Sequence, residues 1–324
     1  MRGVGLALLA WLLSRAEWGQ MGVRLGDVDT LILLMSPLLT VALFALRAGR
    51  WRLLVRADRM CTLSLGRAWA IYATGFFLGV ITPGRLGDLA KALYAERETG
   101  ASLRRALAGT LADRLCDVGL LAPLALWGLW QLGLGGWAQT QWPALVAFGS
   151  VIGAVAMVVV AGLWLLRRAV GRYLPARRWG AFARDIGAEI SRLAGRTGWI
   201  ALGLSGMAYA VYFAHTYLLA RALDLPLTYA DMVAITALIG LAAFLPISVA
   251  GLGTREGVLV VAMAAKGLAD SIEAALAYAA LFFLACYVLP ALLGLCCWWY
   301  RPLSLADLRA QAAVEGTGTR ADEK

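Results

Sequence analysis

The sequence predicts an all-α, polytopic membrane protein of about six spans plus two re-entrant helical hairpins, arranged as an inverted repeat. Three observations predict it. The 324 residues are 61% hydrophobic and 15% charged, where soluble domains carry about 25% charged residues, and the mean hydropathy is +0.73. Apolar runs recur at about 20 residues, the length that crosses a hydrocarbon layer. Two of these runs are broken by short Gly- and Pro-containing stretches that also carry charge, TPGRLGD at 82–88 and LPISVAGLGTREG at 245–257.

Taken in order, spans are expected near 3–19, 28–48, 106–130, 143–166, 198–220 and 272–299, with the broken runs at 66–98 and 229–266. Residues 2–16 also resemble a signal peptide, with Arg2, an apolar run and Ser14-x-Ala16; the first-span reading is the one carried forward. Arginines crowd 47–67 and 167–196 and recur at Arg301 and Arg309. Such loops stay in the cytoplasm, which puts both termini inside at the inner membrane. The loop 131–142 is uncharged and fits the outer side.

This alternation constrains the broken runs. The chain is inside near residue 60 and, by Lys91, Arg97, Arg104 and Arg105, inside again near 105. The run 66–98 then enters and leaves on the cytoplasmic side, and 229–266 enters and leaves on the outer side. Span, hairpin, span thus occurs twice, over about 28–130 and 198–299, in opposite orientation. That is the pattern of transporters whose broken helices meet near mid-membrane. Two kinked full spans satisfy the same charge pattern. Residues 1–303 are read as one membrane unit and 304–324 as a polar cytoplasmic tail. Between the halves, 175–195 places Trp179, Phe182, Ile186, Ile190 and Leu193 on one helical face, as an interfacial helix or a plain amphipathic connector would.

The formal charge of +10 comes from loop arginines and predicts no nucleic-acid partner. Cys61, Cys116, Cys286, Cys296 and Cys297 form no C-x-x-C, and the chain has one His. No metal or other cofactor is expected.

The broken segments carry the chemistry. Pro83 bars helix at Thr82, and Gly84 and Gly87 allow tight turning. A helix restarting near Leu86 presents unpaired N–H groups, an anion site, and Arg85 adds a fork suited to phosphate. Asp88 falls in that helix's first turn. In the second break Pro246 and Ser248 interrupt the helix, Gly251 and Gly253 open the backbone, and Arg255 and Glu256 begin the next helix. Arg85 and Arg255 then either converge on one phosphate or neutralise their neighbouring acids. On the span after the first hairpin, Asp113 and Asp117 share a face and Arg114 reaches Asp117. These groups balance arginines, bind a cationic headgroup or relay protons. His215 reads as a packed, hydrogen-bonded residue, and Gly75-x-x-x-Gly79 as a helix-packing motif.

Pro83-Gly84-Arg85-Leu86-Gly87-Asp88 resembles the P-G-R-x-G-E/D motif of the lysylphosphatidylglycerol synthase transmembrane region family, also called flippase-like membrane proteins. Asp113-Arg114-Leu115-Cys116-Asp117 is similar to its E-R-x-x-D motif, with Asp where Glu is usual. Leu245-Pro246-Ile247-Ser248 and Gly251-Leu252-Gly253-Thr254-Arg255-Glu256 resemble its L-P-I-S-x-x-G-x-G-x-R-E signature. The resemblance runs from about Arg50 to residue 300. It implies translocation or export of a membrane lipid, phosphate-bearing or lipid-linked, alongside enzymes of a lipid or glycan pathway. Lysyl-transferring members add a C-terminal synthase domain, and the tail from about Ser304 holds none, so aminoacyl transfer is not expected. A membrane enzyme acting on a lipid-phosphate, or a non-transporting subunit of such a pathway, is the alternative.

Overall fold

The computed structural model describes residues 28–55, 63–82, 87–99, 103–134, 195–243, 252–268 and 271–300, with a few single positions before 28. The expected span at 143–166, the helix at 175–195, the tail and almost all of the span at 3–19 lie outside the described residues. The described chain is helical. Helix α1 is Thr30–Val55, α2 Leu65–Ile81, α3 Ala90–Thr99 and α4 Leu103–Gln131. After the undescribed stretch come α5 Arg196–Arg221, α6 Tyr229–Ala242, α7 Thr254–Ala265, α8 Ser271–Phe283 and α9 Leu289–Tyr300.

Among the described residues, three helices are long and apolar enough to cross a membrane: Thr30–Val55, Arg196–Arg221 and Ile272–Tyr300. Helix α4, with 29 residues, has the length as well, but Asp113, Arg114 and Asp117 interrupt its apolar character. Large apolar side chains remain exposed along these helices, including Leu34, Leu38, Leu126 and Met207. Trp130, Trp199, Trp299 and Tyr300 are exposed at helix ends, where aromatic rings mark membrane–water boundaries.

The third crossing is continuous through a π turn, Leu284–Val288. Pro290 explains the turn. Its missing N–H cannot serve the carbonyl four residues back, and the ladder shifts so that the Leu289 N–H bonds the Leu284 carbonyl.

Both broken runs fold as helix, break, helix, and each folds back on itself. In the first, Arg67 at the start of α2 pairs with Glu98 at the end of α3, 3.3 Å apart. In the second, Asp231 at the start of α6 pairs with Lys266 beyond the end of α7, at 2.6 Å. The two ends of each run therefore lie together. At 1.5 Å per residue the legs span about 15–25 Å, shorter than the roughly 30 Å hydrocarbon layer.

The two hairpins open at opposite ends of the bundle. The base of the first adjoins the start of α4, where the Leu103 N–H donates to Glu96. The base of the second adjoins the end of α4, where Lys266 donates to the Gln131 carbonyl. Helices α1 and α5 run antiparallel, with Ser36 against His215 and Arg50 against Ser205. Exchanging α1 with α5, α2 with α6, α3 with α7, and α4 with α8–α9 preserves the packing. Helices α1 and α5 pack on each other; α2 packs on α9 as α6 packs on α4; α3 lies on α4 as α7 lies on α8.

One boundary differs from the sequence expectation in a way that matters. Helix α1 does not stop at 48 but continues to Val55, carrying Arg47 and Arg50 with it. Arg50 is 1% exposed, so it is an interior ion rather than a loop charge. Lys91 is likewise fully buried. The positive-inside reading counted all three as surface charges, because that rule weighs residue type and ignores burial.

Close helix contact rests on small residues. A Cβ on Gly294 would collide with the Ala73 carbonyl and stand 2.7 Å from the Phe77 Cβ, whereas Gly119 has nothing within 4 Å. Gly294→Ala should lower stability by about 1–3 kcal/mol by forcing α9 off α2. Gly119→Ala should raise it by up to ~1 kcal/mol through helix propensity. Thermal unfolding of both variants in one detergent checks this, and equal shifts would refute the contact.

Candidate functional site

Six ionised side chains gather in the interior where α1, α4 and the first hairpin meet. Asp113 and Asp117 stand one turn apart on α4, and Arg50 reaches both from α1. Its Nε lies 2.8 Å from Asp113 Oδ1 and its Nη2 2.9 Å from Asp117 Oδ1. Its Nη1 donates to the Ser205 hydroxyl on α5 at 2.9 Å. From the hairpin, Lys91 Nζ lies 3.4 Å from Asp88 and 3.6 Å from Asp113. Arg114 completes the group, 3.3 Å from Asp88, 3.2 Å from Asp113 and 3.5 Å from Asp117. The Tyr72 hydroxyl accepts from Arg114 at 3.1 Å, and the Tyr72 ring faces Lys91 Nζ at 4.2 Å. Among the described residues, three carboxylates thus meet three cations.

The first hairpin is shaped to deliver its charges here. Thr82 leaves the helix with extended backbone, as the residue before Pro83 must. Its hydroxyl donates to the Leu78 carbonyl at 2.7 Å and accepts from the Gly87 N–H at 2.7 Å, tying the two sides of the break. Gly79 leaves room for Asp88, and Gly75 for the stem of Lys91. The Gly75-x-x-x-Gly79 pattern therefore serves the approach of a charged helix.

The second break is arranged differently. Gly253 has φ 85°, a conformation that favours glycine, and its N–H donates to Glu256 Oε2 at 2.6 Å. Arg255 pairs with Glu256, and both are buried. The Arg255 guanidinium sits among Phe282, Phe283 and Tyr287, its carbon 5.2–5.7 Å from their ring centres. Its Nε and Nη1 have no hydrogen-bond partner.

Beside the ion cluster lies a cavity of about 60 Å³, enough for a few waters. Both halves line it: Arg47 and Thr40 from α1, Phe76 from α2, Arg114 and Asp117 from α4, Tyr209, Tyr212 and His215 from α5, Gly240 from α6, and Cys286, Tyr287 and Pro290. His215 Nε2 is 2.7 Å from the Ser36 hydroxyl and Nδ1 4.0 Å from Cys286 Sγ.

Of the residues singled out in the sequence, the structure brings Asp88, Asp113, Arg114 and Asp117 into the cluster, and Gly87 beside it. Gly253, Arg255 and Glu256 form the separate second site. Gly84, Arg85, Ser248 and Gly251 lie outside the described residues. Sequence reasoning missed Arg47, Arg50 and Lys91. The available signal was the spacing of Leu43, Phe44, Ala48, Trp51 and Val55, which continues one buried helical face past residue 48.

Removing Arg50 would leave Asp113 and Asp117 short of their main partner. Arg50→Leu should cost about 3–5 kcal/mol, and Arg50→Leu with Asp117→Leu should recover part of it, because the pair is removed together. Thermal unfolding of the purified variants reads this; a double variant no more stable than the single one would refute the coupling.

Over residues 3–294 the chain matches the family described as Lysylphosphatidylglycerol synthase TM region. No curated protein and no solved structure matches it. The match covers most of the chain and agrees with its long apolar helices. This membrane protein therefore belongs to the family of the lysylphosphatidylglycerol synthase transmembrane region.

Proposed function

We propose that the chain moves a phosphate-bearing lipid or lipid-linked precursor across the cytoplasmic membrane, as a flippase, with both termini in the cytoplasm. The observation that carries this reading is the polar cavity lined by both halves of the bundle. A membrane protein has little reason to keep charged and polar groups around a void in its interior unless something polar visits it. The two oppositely opening hairpins support an inverted repeat, with 28–130 and 198–299 as its halves. In such proteins alternating access comes from rocking one repeat against the other around a fixed site.

In this reading the residues divide by what they touch. Arg255, with unpartnered N–H donors, and Arg85, Gly84, Gly87, Ser248, Gly251 and Gly253 at the breaks are the proposed phosphate contacts. Asp88, Asp113, Arg114, Asp117 and Glu256 hold the charge balance as the halves move.

Reconstitution tests this. Vesicles containing the protein should exchange fluorescent phosphatidylglycerol, phosphatidic acid or polyprenyl phosphate between leaflets, read by dithionite quenching, with the lipid recovered unchanged. Arg255→Gln should slow exchange by about tenfold or more, the loss of one charge-assisted hydrogen bond, while the protein still inserts. No exchange of any of the three above protein-free vesicles, or recovery of a chemically altered lipid, would overturn the reading.

A further inference from the structure

Arg47 is the cation of the cavity that the ion cluster does not account for. Asp88, Asp113 and Asp117 offset Arg50, Lys91 and Arg114, three against three, so Arg47 adds one positive charge that no described carboxylate offsets by direct contact. Its guanidinium stands to one side of the Tyr209–Tyr212 pair and faces both rings, 5.3 and 5.5 Å from their centres. Its Nε is buried and has no hydrogen-bond partner. An interior cation with no carboxylate in direct contact is a costly arrangement, and an anion in the cavity relieves it.

A second void adjoins the first. An apolar groove of about 170 Å³ runs between α2 and the third crossing, lined by Phe77, Val80, Phe283, Val288, Leu292 and Leu295 among others. Tyr287 lines both voids. Phe76 and Pro290 line the cavity while their neighbours Phe77 and Ala291 line the groove, so the same stretches of α2 and the third crossing border both. Leu292 is half exposed, which opens the groove toward the lipid-facing surface. The π turn places Cys286 and Tyr287 on the cavity and Val288 on the groove.

We propose that these form one bipartite site: Arg47, facing Tyr209 and Tyr212, holds the anionic headgroup of a lipid, and the groove between α2 and α9 takes one of its chains. The proposal rests on the lipid reading above and deepens it. It assigns the headgroup to a residue in a helix interior, outside both broken segments. A guanidinium forms paired bonds to phosphate oxygens, and the tyrosine faces hold it in place without neutralising it.

Photolabelling of the purified full chain in detergent tests this. The probe is phosphatidic acid with a diazirine in one acyl chain, compared with phosphatidylcholine carrying the same chain. Wild-type protein should label preferentially with phosphatidic acid, with adducts on groove residues such as Phe77, Val80 and Leu292. Arg47→Gln should lower phosphatidic acid labelling by about tenfold, the loss of a charge-assisted bond, and leave phosphatidylcholine labelling unchanged. Arg47→Lys should keep most of the preference, and Ala291→Phe should move adducts out of the groove. Equal labelling of wild type and Arg47→Gln, or adducts scattered outside the groove, would overturn the site. Protection by inorganic phosphate with scattered adducts would assign Arg47 to a soluble anion and overturn it too. Labelling does not require transport. A protein that labels as described but moves no lipid overturns the flippase reading and leaves the site standing. Unchanged transport and unchanged labelling in Arg47→Gln do the reverse.

Discussion

The compensation of charge in the interior is the constraint on which the rest of this structure depends. Arg50, Asp113 and Asp117 are each under about 5% exposed, in a bundle whose outer surface is apolar. An unpaired ion at such depth costs several kcal/mol. The bundle meets this cost by bringing three elements to one place: the last turns of α1, the middle of α4, and the returning leg of the first hairpin. Helix α1 supplies a cation, and α4 and the hairpin each supply both signs. Helix α3 is short and polar for a buried helix, with two of its buried residues being Lys91 and Tyr94. It is held inside by ion pairs at least as much as by apolar contact. The glycines of α2 follow from the same need, since any side chain at Gly75 would collide with Lys91.

The second hairpin solves the same problem with fewer partners. Arg255 and Glu256 are adjacent in sequence and pair with each other, and Glu256 also caps its own helix at Gly253. The remaining charges, Asp231 and Lys266, sit at the base, where Lys266 is 27% exposed. Helix α6 meets α4 through small residues, Gly128 against Ala234 and Gly240 against Leu121. The two hairpins are thus alike in course and unlike in what holds them. One is bound to its neighbours by ions, the other by apolar fit.

Much of this was legible in the sequence, and the reasons are physical. Length and apolarity announce α1, α5 and the third crossing, because a bilayer admits few alternatives to a long apolar helix. The two breaks were legible because Pro and Gly act locally: Thr82 is extended because Pro83 follows it, and Gly253 sits at positive φ just ahead of Thr254. The acidic partners Asp113 and Asp117 were legible from their four-residue spacing. Arg47, Arg50 and Lys91 were not, because an arginine near the end of an apolar run looks the same whether the run stops before it or continues past it. Only the apolar spacing through Trp51 and Val55 distinguishes the two. Nor does sequence reveal that Tyr287 stands between a polar and an apolar void, since that depends on a π turn set by Pro290 three residues later.

The asymmetry between the hairpins bears on how the cavity changes shape. Moving the first hairpin against α4 would separate Lys91 and Asp88 from Asp113 and Arg114 together, breaking the Lys91–Asp113 and Asp88–Arg114 ion pairs at once. Sliding α6 along α4 exchanges one set of apolar contacts for another, and these are individually weak. At the base it breaks the partly exposed pair of Asp231 and Lys266, and such pairs contribute little. Both interfaces border the cavity, through Asp117 on one side and Gly240 on the other. A rearrangement that opens or closes the cavity therefore costs least when the ion cluster, α1 and the first hairpin stay together and the second hairpin shifts over α4. In such a rearrangement Arg47 would belong to the part that stays, and Gly240 to the opposite wall that would shift.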